Sequence, residues 1–92
     1  MSTKSTVEEG EKADPFADAE FRDRLEELPP SAKLVAKVLE TEAPLSQGQL
    51  VDESLLPDRT VRYALNRLEE SGLVGSRYSY HDARKQVYFL EQ

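Results

Sequence analysis

The most restrictive feature of the sequence is a change in the spacing of its apolar residues at Gly72. Before this glycine, apolar residues recur three or four positions apart, as on one face of a helix: Val61, Ala64 or Leu65, and Leu68. After it, apolar and polar residues alternate over positions 73–79 and 85–90, which is the period of a strand. Gly72 itself suits the end of a helix, where a left-handed backbone is common. The sequence therefore predicts a helix over residues 59–71 that leads directly into an antiparallel β-hairpin.

Three further helices are predicted upstream, over residues 14–28, 31–42 and 47–54. Each follows a residue whose side chain can accept a hydrogen bond from the first turn: Asp14, Ser31 and Ser46, with Asp58 in the same role for the helix at 59–71. Ser46 and Gln49 also have the spacing of a capping box. Prolines at positions 29, 30 and 44 end the first two helices. Leu45, which stands between two such breaks, is expected in a short extended segment.

The order of these elements specifies the fold. Two helices joined by the turn at residues 54–57 make a helix-turn-helix, and a hairpin directly after the second helix makes it a winged helix. We therefore predict a mainly α fold with a small β-hairpin (α+β). The winged helix-turn-helix domain covers residues 29–92. It is preceded by a short amphipathic helix at 14–28 and a disordered acidic tail at 1–13.

Charge is distributed unevenly along the chain. The 92 residues include 12 basic and 18 acidic side chains, a net charge of −6. This total argues against nucleic-acid binding, because affinity for a duplex comes largely from Lys and Arg on phosphates. However, residues 1–28 carry −5 of it, whereas residues 59–87 hold six basic and three acidic side chains, or +3. The C-terminal third is therefore a candidate nucleic-acid-binding surface.

Several classes of function lack the residues that they need. The sequence has no cysteine, which excludes disulfides, thiol catalysis and cysteine-based zinc sites. The single histidine, His81, has no metal-ligand partner at useful spacing, and the four glycines form no phosphate-binding loop. No apolar run is long enough to span a bilayer, and the N-terminus has no signal-peptide pattern. We expect a cytoplasmic protein that is not an enzyme and uses no cofactor or metal.

Residues 30–90 resemble the MarR-like winged helix-turn-helix regulators, in the compact form common in archaea. The resemblance rests on three segments: L-S-Q-G-Q-L-V at 45–51, L-P-D-R-T-V-R-Y-A-L-N-R-L-E-E-S-G-L-V at 56–74, and D-A-R-K-Q-V-Y at 82–88. It implies a transcriptional regulator whose second helix enters the major groove of DNA and whose wing lies along the minor groove or the backbone. The high acid content with few lysines also suits a salt-loving host. The family's long C-terminal dimer helix has no counterpart here, so we do not expect its usual dimer or effector pocket.

Two sets of residues are candidates for DNA contact. With Val61, Leu65 and Leu68 facing inward, the outward side chains of the 59–71 helix are Arg59, Thr60, Arg62, Tyr63, Asn66 and Arg67. Arg can bond guanine, Asn can bond adenine, and Thr can contact a base or a phosphate. On the wing, at about residues 76–86, the candidates are Arg77, Arg84 and Lys85.

Each candidate also has an interpretation without DNA. The three helix arginines could pair with Asp58, Glu69 and Glu70, and the wing cations could simply keep an exposed turn soluble. His81 is expected to be a hydrogen-bonding turn residue. Tyr63 could cover the junction between helix and wing, and the strand aromatics Tyr78, Tyr80, Tyr88 and Phe89 are expected to pack. Within the last strand, Tyr88 and Leu90 are expected to face the core, with Val87 and Phe89 on the other side.

The acidic N-terminal region has three competing interpretations. It could be a solvating tail, an inhibitor of the basic face, or a helix whose apolar stripe packs on the domain or on a twin helix. The stripe comprises Phe16, Phe21, Leu25 and Leu28. A homodimer through it would suit a palindromic DNA site. The alternative for the whole chain is a winged helix that acts as a protein-interaction module without DNA binding.

Overall fold

The computed structural model describes residues 18–91. Within that range the chain forms four helices and three short strands. The helices are α1 (Ala19–Glu26), α2 (Pro30–Glu42), α3 (Gln47–Ser54) and α4 (Asp58–Glu70). The strands are β1 (Leu45–Ser46), β2 (Val74–Tyr78) and β3 (Gln86–Leu90). The predicted winged helix-turn-helix is confirmed, with α3 and α4 as the helix pair and β2–β3 as the wing.

The sheet is antiparallel, with the strand order β1–β3–β2. The predicted extended segment at Leu45 is therefore a third strand, and β3 lies at the centre. Val87 pairs with Ser46 on one side and with Arg77 on the other. Tyr88 and Leu90 pack against the core, as expected. Val87 is nevertheless the most buried residue of β3, although it is not part of the main core cluster.

The core joins all four helices to the sheet. Its largest fully buried side chains are Val35 and Leu39 of α2, Leu50 of α3, Val61 and Leu68 of α4, and Leu73. Residues Phe21, Leu25 and Leu28 join this same core and are each 7% exposed or less. The stripe that could have faced a twin helix is therefore covered within one chain. The stripe's fourth residue, Phe16, lies outside the described residues, as do Asp14 and the tail at 1–13.

Three of the predicted helix starts differ from the structure, those of α2 and α4 by one residue each. Helix α1 begins at Ala19, where the Asp18 side chain accepts a hydrogen bond from the Glu20 amide (3.0 Å), so the described helix is shorter than the predicted range. The prediction of Ser31 and Asp58 as caps is wrong, because they lie inside α2 and α4. The caps of these two helices are Pro29 and Pro57, whose extended backbone turns the chain into each helix.

Two local predictions are confirmed at the ends of α3 and α4. The Ser46 hydroxyl accepts a hydrogen bond from the Gln49 amide (3.2 Å), and the Gln49 side chain accepts one from the Ser46 amide (2.9 Å), which completes the capping box. Gly72 has a positive φ of 75°. Its amide bonds the Glu69 carbonyl and the Leu73 amide bonds the Leu68 carbonyl, both at 3.0 Å. These two bonds are those of a Schellman motif, which turns the chain from α4 into β2.

No helix within residues 18–91 has the length and apolar character needed to cross a membrane.

Candidate nucleic-acid interface

Helix α4 is buried on one face and exposed on the other. Val61, Ala64, Leu65 and Leu68 are at most 2% exposed. The opposite face, hereafter the outward face, carries the six residues predicted for DNA contact: Arg59, Thr60, Arg62, Tyr63, Asn66 and Arg67. All are exposed except Thr60 and Arg67, which are half-buried. The one-sided burial therefore presents every predicted α4 contact residue to the surroundings of the helix.

Arg62 is held by an acid of the same helix. Its Nη2 lies 3.0 Å from Oδ2 of Asp58, one turn earlier. The other oxygen of this carboxylate, Oδ1, accepts a hydrogen bond from the Gln47 side-chain amide of α3 (2.8 Å). Asp58 thereby connects the two helices of the helix-turn-helix at its exposed edge. The pairing of Arg62 with Asp58, which the interpretation without DNA expects, does form.

Arg67 is held mainly by Tyr63. Its Nη1 donates a hydrogen bond to the Tyr63 hydroxyl (2.9 Å), and its guanidinium carbon lies 5.8 Å from the centroid of the Tyr63 ring. Its Nε is 4.0 Å from a Glu70 carboxylate oxygen, which is a weaker contact in solvent. Tyr63 is 49% exposed, so about half of its surface is open to solvent. Both side chains are ordered by each other and remain reachable from solvent.

Arg59 and Asn66 differ from the two paired arginines. Both side chains are exposed, and neither forms a hydrogen bond or ion pair with another side chain in the part of the chain that the structure describes. Their donors and acceptors are therefore satisfied by solvent alone. A ligand at the outward face could bond them without first breaking a protein contact.

The turn before α4 contains a feature that the sequence did not predict. Leu55 has a φ of 63° and is 88% exposed. A left-handed backbone at a residue with a side chain costs about 1–2 kcal/mol. Leu55 ends α3 in this conformation, and its amide bonds the Val51 carbonyl (3.0 Å). Leu55 therefore forms the tight turn that connects α3 to α4.

The wing is closed by a compact set of hydrogen bonds. The Ser79 amide donates to the Lys85 carbonyl (2.8 Å), and the Lys85 amide donates to the Asp82 carbonyl (2.9 Å). Asp82 Oδ1 accepts from the amide of Arg84 (3.0 Å) and from its Nε (3.4 Å). The His81 amide donates to the Ser79 hydroxyl (3.1 Å), as expected for a turn residue. The connection between β2 and β3 is thus hydrogen-bonded along its length.

The three predicted wing cations occupy different positions. Arg84 and Lys85 are exposed at the start of the return arm, and the Arg84 side chain is 91% exposed. Arg77 lies in β2, and its guanidinium carbon is 4.7 Å from the centroid of the Tyr80 ring. Its Nη1 also donates to the Tyr78 carbonyl (3.4 Å). Arg77 therefore faces an aromatic ring, whereas Arg84 and Lys85 face solvent.

Two wing tyrosines do not pack as predicted. Tyr78 is 61% exposed and Tyr80 is 89% exposed, whereas Tyr88 and Phe89 are half-buried, as expected of strand aromatics. Strand β2 ends at Tyr78, so Tyr80 has no sheet face to cover. The position of Tyr80 in the turn, next to His81 and Asp82, is the sequence feature that could have indicated its exposure.

An open groove of about 490 Å³ between α1 and α2 is lined by side chains of both charges, among them Arg22, Asp23 and Lys37. Among residues 18–91, no group of three or more His, Asp or Glu side chains is arranged to hold a metal ion.

The sequence and the fold were compared with those of known proteins. No family model and no curated protein matches the sequence. Solved structures do match the fold. A probable transcriptional regulator from Pseudomonas aeruginosa has a TM-score of 0.69 at 22% identity, over 84% of this chain and 55% of its own. ZitR of Lactococcus lactis, a zinc-responsive MarR family member, has a TM-score of 0.65 at 20% identity, over 72% of this chain and 45% of its own.

A third match is a complex with DNA. MepR of Staphylococcus aureus, solved with DNA, has a TM-score of 0.67 at 17% identity and covers 96% of this chain and 69% of its own. The chain thus spans about half the length of the first two structures. At these identities the matches establish the fold, which is a winged helix of the MarR type. The predicted archaeal, salt-loving origin is not supported by them and stays a prediction.

Proposed function

We propose that the chain binds duplex DNA in a sequence-specific manner as a small transcriptional regulator. Helix α4 enters the major groove, and the wing follows the backbone or the minor groove. One observation carries the proposal. The helix that follows the turn of a winged helix-turn-helix is buried on one side and presents six polar side chains, three of them arginines, on the other.

Arg59 and Asn66 are the proposed base-reading residues. An arginine can bond guanine through two donors, and an asparagine can bond adenine through a donor and an acceptor. Neither side chain has a competing hydrogen bond or ion pair within residues 18–91. Arg59 lies in the first turn of α4, the part of a recognition helix that reaches base edges in related architectures. Thr60, beside it, is proposed to contact a base or a phosphate.

Arg62, Tyr63 and Arg67 are proposed to contact DNA after exchanging partners. Arg62 leaves Asp58 for a phosphate or a base. This exchange is inexpensive, because an exposed ion pair contributes little to stability. Arg67 is already oriented by the Tyr63 hydroxyl, so less side-chain freedom is lost on binding.

On the wing, Arg84 and Lys85 are the proposed backbone contacts. Both are exposed, and the hydrogen-bonded turn fixes the chain that carries them. The similarity of the fold to MepR, which has been solved with DNA, supports this arrangement. The proposal includes a homodimer, whose two-fold symmetry would suit a palindromic DNA site. Phe21, Leu25 and Leu28 cannot form the dimer interface while they are buried in the chain's own core.

Selection of bound sequences from a random duplex pool, followed by affinity measurement, tests the proposal. The wild-type chain is expected to enrich one sequence. The double variant Arg59→Ala, Asn66→Ala is expected to bind that sequence at least tenfold more weakly, since removing a side chain that reads a base costs about 1–3 kcal/mol. Arg22→Ala, an exposed arginine of α1, is the matched control and should stay within about twofold of wild type.

The same measurement separates DNA binding from the alternative of a protein-interaction module. Raising the salt concentration should weaken binding, and the pair Arg62→Ala, Arg67→Ala should flatten that dependence because two cations are removed. If no sequence is enriched, or if both double variants keep the wild-type affinity and salt dependence, the DNA-binding proposal is wrong.

A further inference from the structure

The wing carries an exposed aromatic residue that the proposed function has not used. Tyr80 is 89% exposed, the highest value among the large apolar or aromatic side chains that the structure describes as exposed. An aromatic ring left in water forgoes a large favourable burial, and tyrosine is enriched at binding surfaces because one end is apolar and the other is polar. Tyr80 is therefore a candidate for contact with a binding partner.

Tyr80 is oriented by Arg77. The guanidinium carbon of Arg77 lies 4.7 Å from the ring centroid, within the range of a cation–π interaction. Arg77 is itself tied to the end of β2 by its bond to the Tyr78 carbonyl (3.4 Å). One face of the ring thus meets the guanidinium. The high exposure of the residue leaves the other face to solvent.

The wing that carries the ring also carries two exposed cations besides Arg77. Arg84 and Lys85 lie on the return arm of the same wing, and the Ser79 amide bonds the Lys85 carbonyl across the two arms (2.8 Å). The one acid of the turn, Asp82, accepts hydrogen bonds from Arg84. A wing that presents an uncovered ring and two exposed cations complements a chain that alternates apolar sugar faces with anionic phosphates.

We propose that Tyr80 is a DNA-contacting residue whose uncovered face packs on a deoxyribose of the duplex, with its hydroxyl donating to a neighbouring phosphate. Arg77 is its positioning residue and acts through the ring. This inference rests on the proposed function, and it differs from the sequence prediction, which takes Arg77 as a direct DNA contact.

The test uses the full chain and the duplex selected for the wild type. Tyr80→Ala should weaken binding by about tenfold, an effect similar to the lower range for aromatic side chains stacked on bases of single strands. Because tyrosine is uncharged, the slope of log affinity against log salt should not change. Tyr80→Phe should keep most of the affinity, since the ring remains. Tyr78→Ala, the neighbouring exposed tyrosine without a guanidinium on its ring, is the matched control and should stay within about twofold.

Arg77 is tested through its coupling to Tyr80. Arg77→Ala should weaken binding without flattening the salt dependence, and Arg77→Lys should restore part of the affinity, because an ammonium also binds a ring face. The double variant Arg77→Ala, Tyr80→Ala should be no weaker than Tyr80→Ala alone. A decrease of about one unit of salt slope in Arg77→Ala would instead make Arg77 a phosphate contact and overturn its assigned role.

Hydroxyl-radical cleavage of the bound duplex locates the contact. Wild type should protect deoxyriboses flanking the selected sequence, and Tyr80→Ala should lose that flanking protection while the central protection remains. The inference is wrong if Tyr80→Ala keeps wild-type affinity, if Tyr78→Ala is weakened as much as Tyr80→Ala, or if Tyr80→Ala weakens only the binding of single strands. In each of these cases the weaker binding of the Arg59 and Asn66 variants would still stand, so the proposed function is judged separately.

Discussion

Oδ2 of Asp58 lies 3.0 Å from Nη2 of Arg62, one helical turn along α4. The pair stands at the exposed edge of the helix-turn-helix, with both side chains about 60% exposed. A carboxylate in the first turn stabilises the helix by opposing its dipole, but it also holds a cation that the outward face offers to DNA. Asp58 therefore stabilises the free protein and competes with phosphate for Arg62.

Replacing this acid by its amide should strengthen DNA binding. In Asp58→Asn the negative charge is gone, Arg62 is released, and the side-chain oxygen can still accept from Gln47. We expect the dissociation constant at low salt to fall about two- to fivefold, because Arg62 no longer has to leave a carboxylate, and the salt slope to stay close to wild type, because Arg62 contacts DNA in both proteins. The free energy of unfolding should fall by about 0.5 kcal/mol.

Asp23→Asn is the control for the Asp58 variant, because it makes the same charge change on an exposed residue of α1. It should leave both the affinity and the salt slope close to wild type. Equal strengthening in the two variants would mean that only total charge matters and that the Arg62 pair has no specific effect.

Two glycines of the helix-turn-helix region should respond oppositely to alanine. Gly72 has a φ of 75°, where a Cβ is strained, so Gly72→Ala should lower the free energy of unfolding by about 1 kcal/mol. Its Cβ would meet only Arg24 Nη1 at 3.5 Å, an ordinary contact, so strain and not a clash sets the cost. Gly48 lies in α3 with nothing within 4 Å, and Gly48→Ala should raise the free energy by about 0.5–1 kcal/mol.

Urea unfolding followed by circular dichroism gives the free energy of unfolding of each glycine variant for comparison with wild type. The opposite signs are the informative outcome. A stabilised Gly72→Ala would show that the left-handed turn from α4 into β2 is not required.

The α1 side chains should contribute to the stability of a single chain. Phe21 is 5% exposed within the core, so Phe21→Ala should lower the free energy of unfolding by about 3 kcal/mol or more. Arg22→Ala, the adjacent exposed position, should change it by less than about 0.5 kcal/mol. Sedimentation of the folded Phe21→Ala protein should give the wild-type mass. A lower mass with unchanged stability would instead place Phe21 in a contact between two chains.

Much of the fold could be predicted because the strongest patterns are local. The change of apolar period at Gly72 determines α4 and the hairpin, and the spacing of Ser46 and Gln49 determines the start of α3. Strand β1 has only two residues, too few for a period, so its pairing with β3 could not be predicted. The cap of α4 lies at Pro57 and not at the neighbouring Asp58, because residue type alone does not distinguish adjacent starting positions.

In the candidate site, too, local features could be predicted from the sequence, whereas contacts between distant residues could not. The outward residues of α4 follow from helical geometry, and the Asp58–Arg62 pair follows from its spacing of four. The bond from Gln47 to Asp58 joins two helices across 11 positions and depends on how they pack. Tyr80 lies two residues beyond the end of β2, and its exposure follows from this position in the turn.

The stability of the wing should fall at alkaline pH because of Tyr88. Burial, and to a lesser extent the charge of Glu69, raise the pKa of this tyrosine above its ordinary value of 10.0. As pH rises past about 10, the unfolded chain loses the phenolic proton while the folded chain keeps it, so the folded state binds more protons and unfolding becomes easier. The contribution of Tyr88 is therefore complete below pH 10 and is lost as pH rises through its folded pKa. Urea unfolding at pH 8 to 11 should show the decline, and Tyr88→Phe should reduce it. Tyr78→Phe, at an exposed tyrosine of the same sheet, should decline as steeply as wild type. An unaltered decline in Tyr88→Phe would assign the alkaline loss of stability to other groups.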